Sequence, residues 1–278
     1  MRVYDRVREV KEQQGGRDLL RQVRWRMRAL TQVIGDPIDL NVPANRQAFD
    51  DVIDAYAPND RYQVELSKFD RCVATEQQGG LINFVAWLVT GGEPIAEIKR
   101  VLNLNRGYAY HSSLRVHPPY RGNRVAVGSL ASSVELYDRL GFSAVRLRAC
   151  YSGTWYWARF GFEFEDPQEV SAIRRHAQQV VNAFGGGLDV STFTHPQQFL
   201  YLGHPSVISF GELVDAMPKK EDAFIGIAAD NGLGMHDRIP FGRAVLLTGP
   251  SWDGRLTLQG PGRLIFDDLV RRKLNEAT

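Results

Sequence analysis

The residues best suited to chemistry form a short basic turn between an apolar strand and a helix. Residues 113–130 have the sequence SLRVHPPYRGNRVAVGSL, and Arg121-Gly122-Asn123-Arg124 connects the two elements. A helix that begins directly after a turn points several free backbone N–H groups and the positive end of its dipole at one spot, which favours phosphates and other anionic oxygens. Arg121 and Arg124 add charge-assisted donors, and Gly122 allows close approach of the backbone. The same residues also fit an exposed basic turn that only begins a helix.

A second segment of interest, GTWYWARFGFEF, follows at residues 153–164. Together with residues 113–126 it resembles the acyl-CoA site of the GNAT acyltransferase superfamily. The pyrophosphate loop of that superfamily has the pattern Arg/Gln-x-x-Gly-x-Gly/Ala after a Val-x-Pro strand end, and this chain has Val116-His117-Pro118 followed by RGNRVA. The superfamily's later Tyr-x-x-x-Gly-Phe motif corresponds to WARFGF in this chain.

The resemblance, which covers about residues 37–165, implies a co-substrate and the groups that hold it. The chain would bind acetyl-CoA or another acyl-CoA, and an amine would attack the thioester directly. A backbone N–H of the fourth strand would hold the thioester carbonyl, and the loop would hold the pyrophosphate. The implied cofactor-binding residues are Leu114, Val116, Arg121, Gly122, Asn123, Arg124, Val125 and Ala126.

Two positions depart from the superfamily pattern. Arg124 replaces the usual glycine of the loop and crowds the phosphate site unless its side chain turns outward. Trp157 replaces the tyrosine that in this superfamily often protonates the departing thiolate, and an indole cannot act as an acid. The adjacent Tyr156 is the first candidate for that acid, followed by Tyr151 and Ser152, although a helical neighbour points about 100° away. An aromatic side chain that only packs is the alternative interpretation of Tyr156.

Removal of a proton from the attacking amine requires a base on the neighbouring strands. An unperturbed histidine titrates near neutrality, so His111 is expected to suit this task, and Glu97 or Glu65 could act through a water molecule. A strand histidine satisfied by hydrogen bonds is the alternative for His111, and a solvated strand face is the alternative for the two carboxylates. The predicted catalytic residues are therefore Tyr156, His111 and Glu97.

The elements that must position these groups form a mixed α/β arrangement. Alternating apolar residues predict strands, helical spacing predicts helices, and glycine pairs at 79–80 and 91–92 predict hairpin turns. We expect a GNAT-like fold in which a mixed, mostly antiparallel sheet is flanked by helices, with a helical N-terminal extension and a C-terminal addition. Strands are predicted at 37–42, 61–74, 81–89, 94–104, 108–116 and 144–150, and helices at 17–33, 44–57, 125–140, 154–160 and 167–184.

Three domains are predicted from these elements: a helical extension at 1–36, an acyl-CoA-binding domain at 37–165, and a helix with a Gly- and Pro-rich addition at 166–278. The addition contains the apolar pieces FIGIAA and RAVLLTG, to which the pattern assigns no element. Acidic residues and a histidine at 230–237 suggest a metal, but they lack a ligand set at recognisable spacing. No metal site is therefore expected.

Composition limits the partners. The chain of 278 residues has 34 basic and 32 acidic residues, and the resulting formal charge of +2 does not favour nucleic acid as a partner. The apolar runs are about nine residues long, whereas a membrane span needs about twenty, and the N-terminus lacks a leader's apolar region. We therefore expect no membrane association and a cytoplasmic location, with Cys72 and Cys150 as buried thiols.

These observations predict an acyl-CoA-dependent N-acyltransferase that transfers an acetyl group to a primary amine. The large flanking segments favour a peptide or protein acceptor over a small molecule. A non-catalytic module that binds acyl-CoA or a partner is the alternative, because the superfamily's tyrosine is missing.

Overall fold

The computed structural model describes part of the chain, namely Tyr56 and residues 63–70, 81–103, 106–203 and 205–275. The predicted helix at 17–33, the strand at 37–42, the helix at 44–57 apart from Tyr56, the turn at 79–80 and Cys72 lie outside the described residues. Contacts divide the chain into a first unit, Met1–Arg146 with Asp267–Thr278, and a second unit, Leu147–Phe266. The predicted domains have other boundaries and stay predictions.

The first unit contains an antiparallel meander of four strands, in which β1 pairs with β2, β2 with β3, and β3 with β4. Side chains of the two central strands alternate between a fully buried face and a partly exposed face, as expected for a sheet covered mainly on one side. Both glycines of the β2–β3 turn have positive φ angles, of 58° and 82°, which suit a tight hairpin. The strands are β1 Gln63–Asp70, β2 Leu81–Thr90, β3 Glu93–Asn103 and β4 Tyr108–Val116.

Helix α1, Val125–Arg139, covers the buried face of this meander. Leu130, Val134 and Tyr137 recur at helical spacing and are fully buried. The hydroxyl of Tyr137 lies 2.9 Å from the hydroxyl of Tyr56, whose ring meets Phe84 of β2 edge-on. The core of the first unit therefore combines apolar packing with buried hydroxyl groups.

The pairing of β3 with β4 contains a β-bulge. Arg100 pairs with His111 and Lys99 pairs with Ser113, so that Ser112 is an extra residue on β4. Because side chains alternate along a strand, one extra residue exchanges the two faces of the strand. Odd-numbered side chains of β4 therefore face α1 before the bulge, and even-numbered side chains face it afterwards.

The second unit has a separate core, built around large aromatic side chains. Strand β9 lies between β5 and β6 and pairs with β6 in antiparallel fashion. The buried aromatic residues include Phe199, Phe210, Phe224, Phe241 and Trp252. Beyond α1 the elements are β5 Ala144–Ala149, α2 Gly153–Arg159, β6 Glu163–Phe164, α3 Pro167–Ala183, α4 Pro196–Leu200, β7 Val207–Ile208, α5 Phe210–Ala216, α6 Glu221–Asp230, β8 Ile239–Pro240, α7 Phe241–Thr248, β9 Trp252–Thr257 and α8 Pro261–Asn275.

The predicted elements between residues 81 and 184 are confirmed to within two residues at their ends, and the fold is a mixed α/β arrangement with a mostly antiparallel sheet flanked by helices. The C-terminal addition, to whose apolar pieces the pattern assigned no element, is largely helical: FIGIAA belongs to α6 and RAVLLT to α7. Short apolar runs do not distinguish a buried strand from a buried helix, which is why the sequence pattern left them unassigned. Cys150 is a free thiol that is half-buried, not buried as predicted.

Gly161, the glycine of the WARFGF motif, lies directly against the start of α8. Its φ is 77°, and a Cβ atom there would lie 2.4 Å from the carbonyl oxygen of Gly262. Two backbones approach each other too closely for any side chain at this point. Both the left-handed conformation and the contact therefore require glycine.

We expect Gly161→Ala to lower the free energy of unfolding by about 3 kcal/mol, since it combines a left-handed alanine with an overpacked contact. Urea unfolding at 25 °C measures this change. Gly226→Ala is the matched control, because Gly226 lies exposed in α6, where an added Cβ atom would meet nothing within 4 Å, and it should stabilise by about 0.5–1 kcal/mol. Equal stabilities of the two variants would contradict the close contact.

Candidate functional site

The basic turn is held against the end of β4 by an apolar cluster and a side-chain hydrogen bond. Val116 and Tyr120 pack against buried residues of β2, β3 and the first turn of α1. A 3-10 turn at Pro118–Tyr120 follows the strand, and the Nε of Arg121 donates to the Val116 carbonyl at 3.2 Å. The turn is thereby fixed relative to the strand that precedes it.

Two residues of this turn have left-handed backbone conformations. Gly122 has a φ of 85°, and a Cβ atom there would meet nothing within 4 Å, so the backbone is open to an approaching group. Arg124 has a φ of 61° and is the N-cap of α1. The glycine of the superfamily pattern would adopt this conformation without strain, whereas arginine adopts it at a cost.

The first turn of α1 offers unpaired donors. The Arg124 side chain forms no capping hydrogen bond. The first helical hydrogen bond runs from the Gly128 amide to the Arg124 carbonyl, at 2.9 Å. In the part of the chain that the structure describes, the amides of Val125 and Ala126 therefore have no acceptor, and neither does the buried Nη1 of Arg124. These donors and the helix dipole can hold an anionic oxygen.

The predicted carbonyl-binding residues Leu114 and Val116 have their backbone groups on the side of β4 that faces away from β3. The His117 amide donates to the Ile95 carbonyl of β3 at 2.9 Å, and backbone groups alternate between the two sides of a strand. The Val116 carbonyl accordingly accepts from Arg121 and not from β3. Both side chains are half-buried, so the strand end lies near the surface.

His111 lies inside the core of the first unit. Its side chain is 4% exposed, and its Nε2 lies 2.9 Å from the Tyr137 hydroxyl. Burial, and then the charge of Arg100, hold the pKa of His111 well below its usual range. The imidazole is therefore neutral at physiological pH and belongs to a buried polar chain with Tyr137 and Tyr56.

Glu97 lies on the opposite face of the sheet from His111. Arg100 shares the buried face with His111, and Glu97 is three residues earlier on the same strand, on the partly exposed face. The Glu97 side chain is 19% exposed, and its Oε1 lies 3.6 Å from the Nζ of Lys99. The two candidate bases are therefore not brought together. Glu65 of β1 pairs with Trp87, which pairs with Glu97, so its position falls in the same cross-strand row as Glu97.

Tyr156, the candidate acid, lies in helix α2 of the second unit. Its ring packs against Trp157 and Phe160 at centroid distances of 5.1 and 4.8 Å. Its hydroxyl is buried and has no hydrogen-bond partner among the described residues. Burial raises the pKa of Tyr156, and the charge of Arg159 opposes this effect only in part. The phenol is therefore protonated but a weaker acid than a solvated tyrosine.

The other residues considered for the acid lie in the turn before α2. Tyr151 is 72% exposed and has a φ of 52°, a conformation that is uncommon outside glycine. Ser152 is exposed and is the N-cap of the helix, without a side-chain capping bond. Both hydroxyls are thus open to solvent, in contrast to that of Tyr156.

Arg100 is a buried residue that no sequence motif indicated. Its side chain is fully buried, and its Nη1 donates to the carbonyls of Lys99 and Ser113 at 2.9 and 2.6 Å. These two carbonyls belong to the Lys99–Ser113 pair, which adjoins the bulge on one side. The available signal was its position, because strand alternation assigns Arg100 to the buried face together with Ile98 and Leu102.

Within the described residues no group of three or more His, Cys, Asp or Glu side chains could hold a metal ion. Asp237 instead closes its own turn, since its Oδ2 accepts from the Gly234 amide at 2.8 Å. The same part of the chain contains no helix that is long and apolar enough to cross a membrane.

Comparisons with known proteins give weak likenesses. No family model matches the chain, and no curated protein matches it. Ard1 from Thermoplasma volcanium is 15% identical with a TM-score of 0.27, and the match covers 30% of this chain and 57% of that one. Nourseothricin acetyltransferase is 13% identical with a TM-score of 0.27 and coverages of 45% and 81%. The spermidine/spermine N-acetyltransferase SpeG from Vibrio cholerae is 9% identical with a TM-score of 0.26, and the match covers 48% of this chain and 80% of that one.

At these identities and TM-scores, the likenesses assign neither a family nor an activity to this chain. The chain spans little more than half of the Thermoplasma protein. The function must therefore be inferred from the geometry of the site.

The buried position of His111 has a consequence for stability. The unfolded chain binds a proton near pH 6.5, whereas the folded chain resists protonation, so the stability contributed by neutral His111 is present above that pH and is lost as pH falls. We expect His111→Gln to make the fall in unfolding free energy between pH 6.5 and 5 shallower, by up to about 1.4 kcal/mol per pH unit. Urea titrations at several pH values measure the slope. His236→Gln, in an exposed loop, should leave the slope unchanged, and equal slopes for wild type and His111→Gln would contradict the burial.

Proposed function

We propose that this chain is an acyl-CoA-dependent N-acyltransferase of the GNAT type, which transfers an acetyl group from acetyl-CoA, or a related acyl group, to a primary amine of a peptide or protein. One observation carries the proposal: a turn with open amides and two arginines follows directly after a bulged strand and begins a helix. The two motifs at residues 113–126 and 153–164 add to it.

The turn fits the pyrophosphate of CoA. The free amides at the start of α1, the open backbone at Gly122 and the unpaired Nη1 of Arg124 are donors for phosphate oxygens. Arg121 is exposed and adds a charged donor at the same end of the strand. Asn123 completes the turn, since its amide donates to the Tyr120 carbonyl.

Acyl transfer itself requires little further machinery. The neutral amine forms a C–N bond with the thioester carbon, the C–S bond breaks, the amine loses a proton and the thiolate gains one. Backbone donors near Leu114 and Val116 would stabilise the negative charge on the carbonyl oxygen, because they face away from β3. The thioester supplies the activated acyl group, and the chain supplies binding, orientation and proton transfer.

Glu97 is the favoured base. It lies on the partly exposed face of β3, where a water molecule can carry the amine proton to it, whereas His111 is enclosed in the core. The position of Glu65 in the same cross-strand row supports this face as the one that receives the amine. His111 is the second candidate, and its use would require the core to open.

Tyr156 is the favoured acid, because its buried hydroxyl has no partner among the described residues and is free to donate to a thiolate. An unsatisfied buried hydroxyl costs about 1–3 kcal/mol, which a bound partner would recover. The raised pKa of Tyr156 works against it as an acid. This observation, with Trp157 in the superfamily's tyrosine position, supports the second candidate function, a module that binds acyl-CoA without catalysis.

Release of free thiol from labelled acetyl-CoA in the presence of a peptide with a free N-terminus separates the two functions. An N-acyltransferase releases thiol in proportion to the acetylated peptide. A binding module retains acetyl-CoA without thiol release.

We expect Arg121→Glu to weaken CoA binding by at least about 1.5–3 kcal/mol, the value of a lost hydrogen bond to a charged group. Isothermal titration calorimetry with CoA measures this change. Arg106→Glu is the matched control, because Arg106 is exposed in the turn at the other end of β4 and undergoes the same change of charge. Unchanged affinity in Arg121→Glu would remove the phosphate assignment of the turn.

We expect Tyr156→Phe to reduce turnover by about 10²-fold or more if its hydroxyl donates a proton in the transition state. The CoA affinity should change little, and the stability should hold or rise, because an unpaired buried hydroxyl is removed while the ring still packs. Steady-state kinetics and urea unfolding measure the two effects. Tyr151→Phe removes an exposed hydroxyl and is the control, and wild-type turnover in Tyr156→Phe would exclude the acid role.

A further inference from the structure

Two arginines of the second unit converge on one tryptophan. Arg159 lies one helical turn after Trp155 on α2, and its guanidinium carbon is 4.7 Å from the centroid of the Trp155 ring. Arg243 of helix α7 approaches the same ring, at 4.4 Å. Both contacts are cation–π interactions, which stabilise each guanidinium group by the ring's negative face. We call these three residues the Arg-Trp-Arg cluster.

The position of the cluster is fixed by the packing of its two helices. Thr154, next to Trp155, is buried, and its hydroxyl donates to the Leu246 carbonyl of α7 at 2.8 Å. A buried hydrogen bond between the helices leaves little freedom for Trp155 and Arg243 to separate. The cluster is therefore organised before any ligand binds.

The cluster lacks a counter-charge. Neither Arg159 nor Arg243 forms an ion pair within the described residues, and the Nε of Arg243 is buried there without a hydrogen-bond partner. Burial, and then the charge of Arg159, lower the pKa of Arg243, which indicates that the two cations repel each other. Arg148 of the same unit shows the contrast, since it pairs with Glu169 and Asp253.

We propose that the Arg-Trp-Arg cluster is a binding site for a phosphomonoester group. Two guanidinium groups with planar, forked donors match the oxygens of a phosphate and its charge of nearly −2 at neutral pH. A single carboxylate would neutralise only one of the two cations.

The first test measures binding of inorganic phosphate by its effect on thermal stability at constant ionic strength. A ligand that binds the folded state raises the Tm in proportion to the logarithm of its concentration. All titrations are made in an Arg121→Glu background, so that the turn before α1 does not contribute, and we expect the phosphate concentration needed for a given rise in Tm to increase at least tenfold on adding Arg243→Gln or Arg159→Gln. Arg255→Gln is the matched control, because Arg255 is exposed on β9 and undergoes the same change of charge, and it should respond as the Arg121→Glu protein does.

Because two variants of the cluster are compared, the proposal can still be tested if one of them fails to fold. Acetate at the same ionic strength should raise the Tm of all four proteins equally. This rise should be smaller than the rise that phosphate causes in the protein with an intact cluster. An equal response to phosphate in all four proteins would overturn the proposal.

Failure of the acyltransferase proposal would leave the phosphate titration unchanged, so the two proposals fail separately.

Discussion

The bulge at Ser112 is the constraint on which the organisation of the first unit depends. Before it, Ala109 and His111 face helix α1, and after it Leu114 and Val116 do. The exchange places an apolar strand end against the first turn of the helix, where the backbone groups of Leu114 and Val116 are directed away from β3. The positions of the turn at Arg121–Arg124 and of the donors at the beginning of α1 are therefore fixed relative to the sheet.

Arg100 holds this bulge from inside the core. A buried guanidinium group is costly when its donors are unused, and one nitrogen of Arg100, Nη1, donates to both carbonyls of the Lys99–Ser113 pair beside the bulge. Burial, and then the charge of Arg100, keep His111 neutral, which suits a histidine that shares a hydrogen bond with Tyr137. The polar groups of the core thus support the shape of β4 from one face of the sheet, and Glu97 lies on the other, partly exposed face.

The second unit provides different chemistry. Helix α2 carries Tyr156 with its unpaired hydroxyl, and on another part of its surface it carries Trp155 and Arg159. Arg243 joins the latter two only because Thr154 fixes α7 beside α2. Gly161, at the end of the same segment, is required by a backbone contact, so one motif residue has a purely structural explanation.

The amino-acid sequence by itself determined the local elements between residues 81 and 184 and the junction of strand, basic turn and helix. Alternation, helical spacing and glycine turns are local signals, and they predict strands and helices without knowledge of their partners. The bulge, the burial of Arg100 and His111, and the separation of His111 from Glu97 onto opposite faces were decided only by the tertiary structure. One extra residue changes every face downstream of it, and no local pattern marks that residue. The Arg-Trp-Arg cluster could not be predicted from the sequence for a related reason, because Arg243 and Trp155 meet through helix packing and not through sequence spacing.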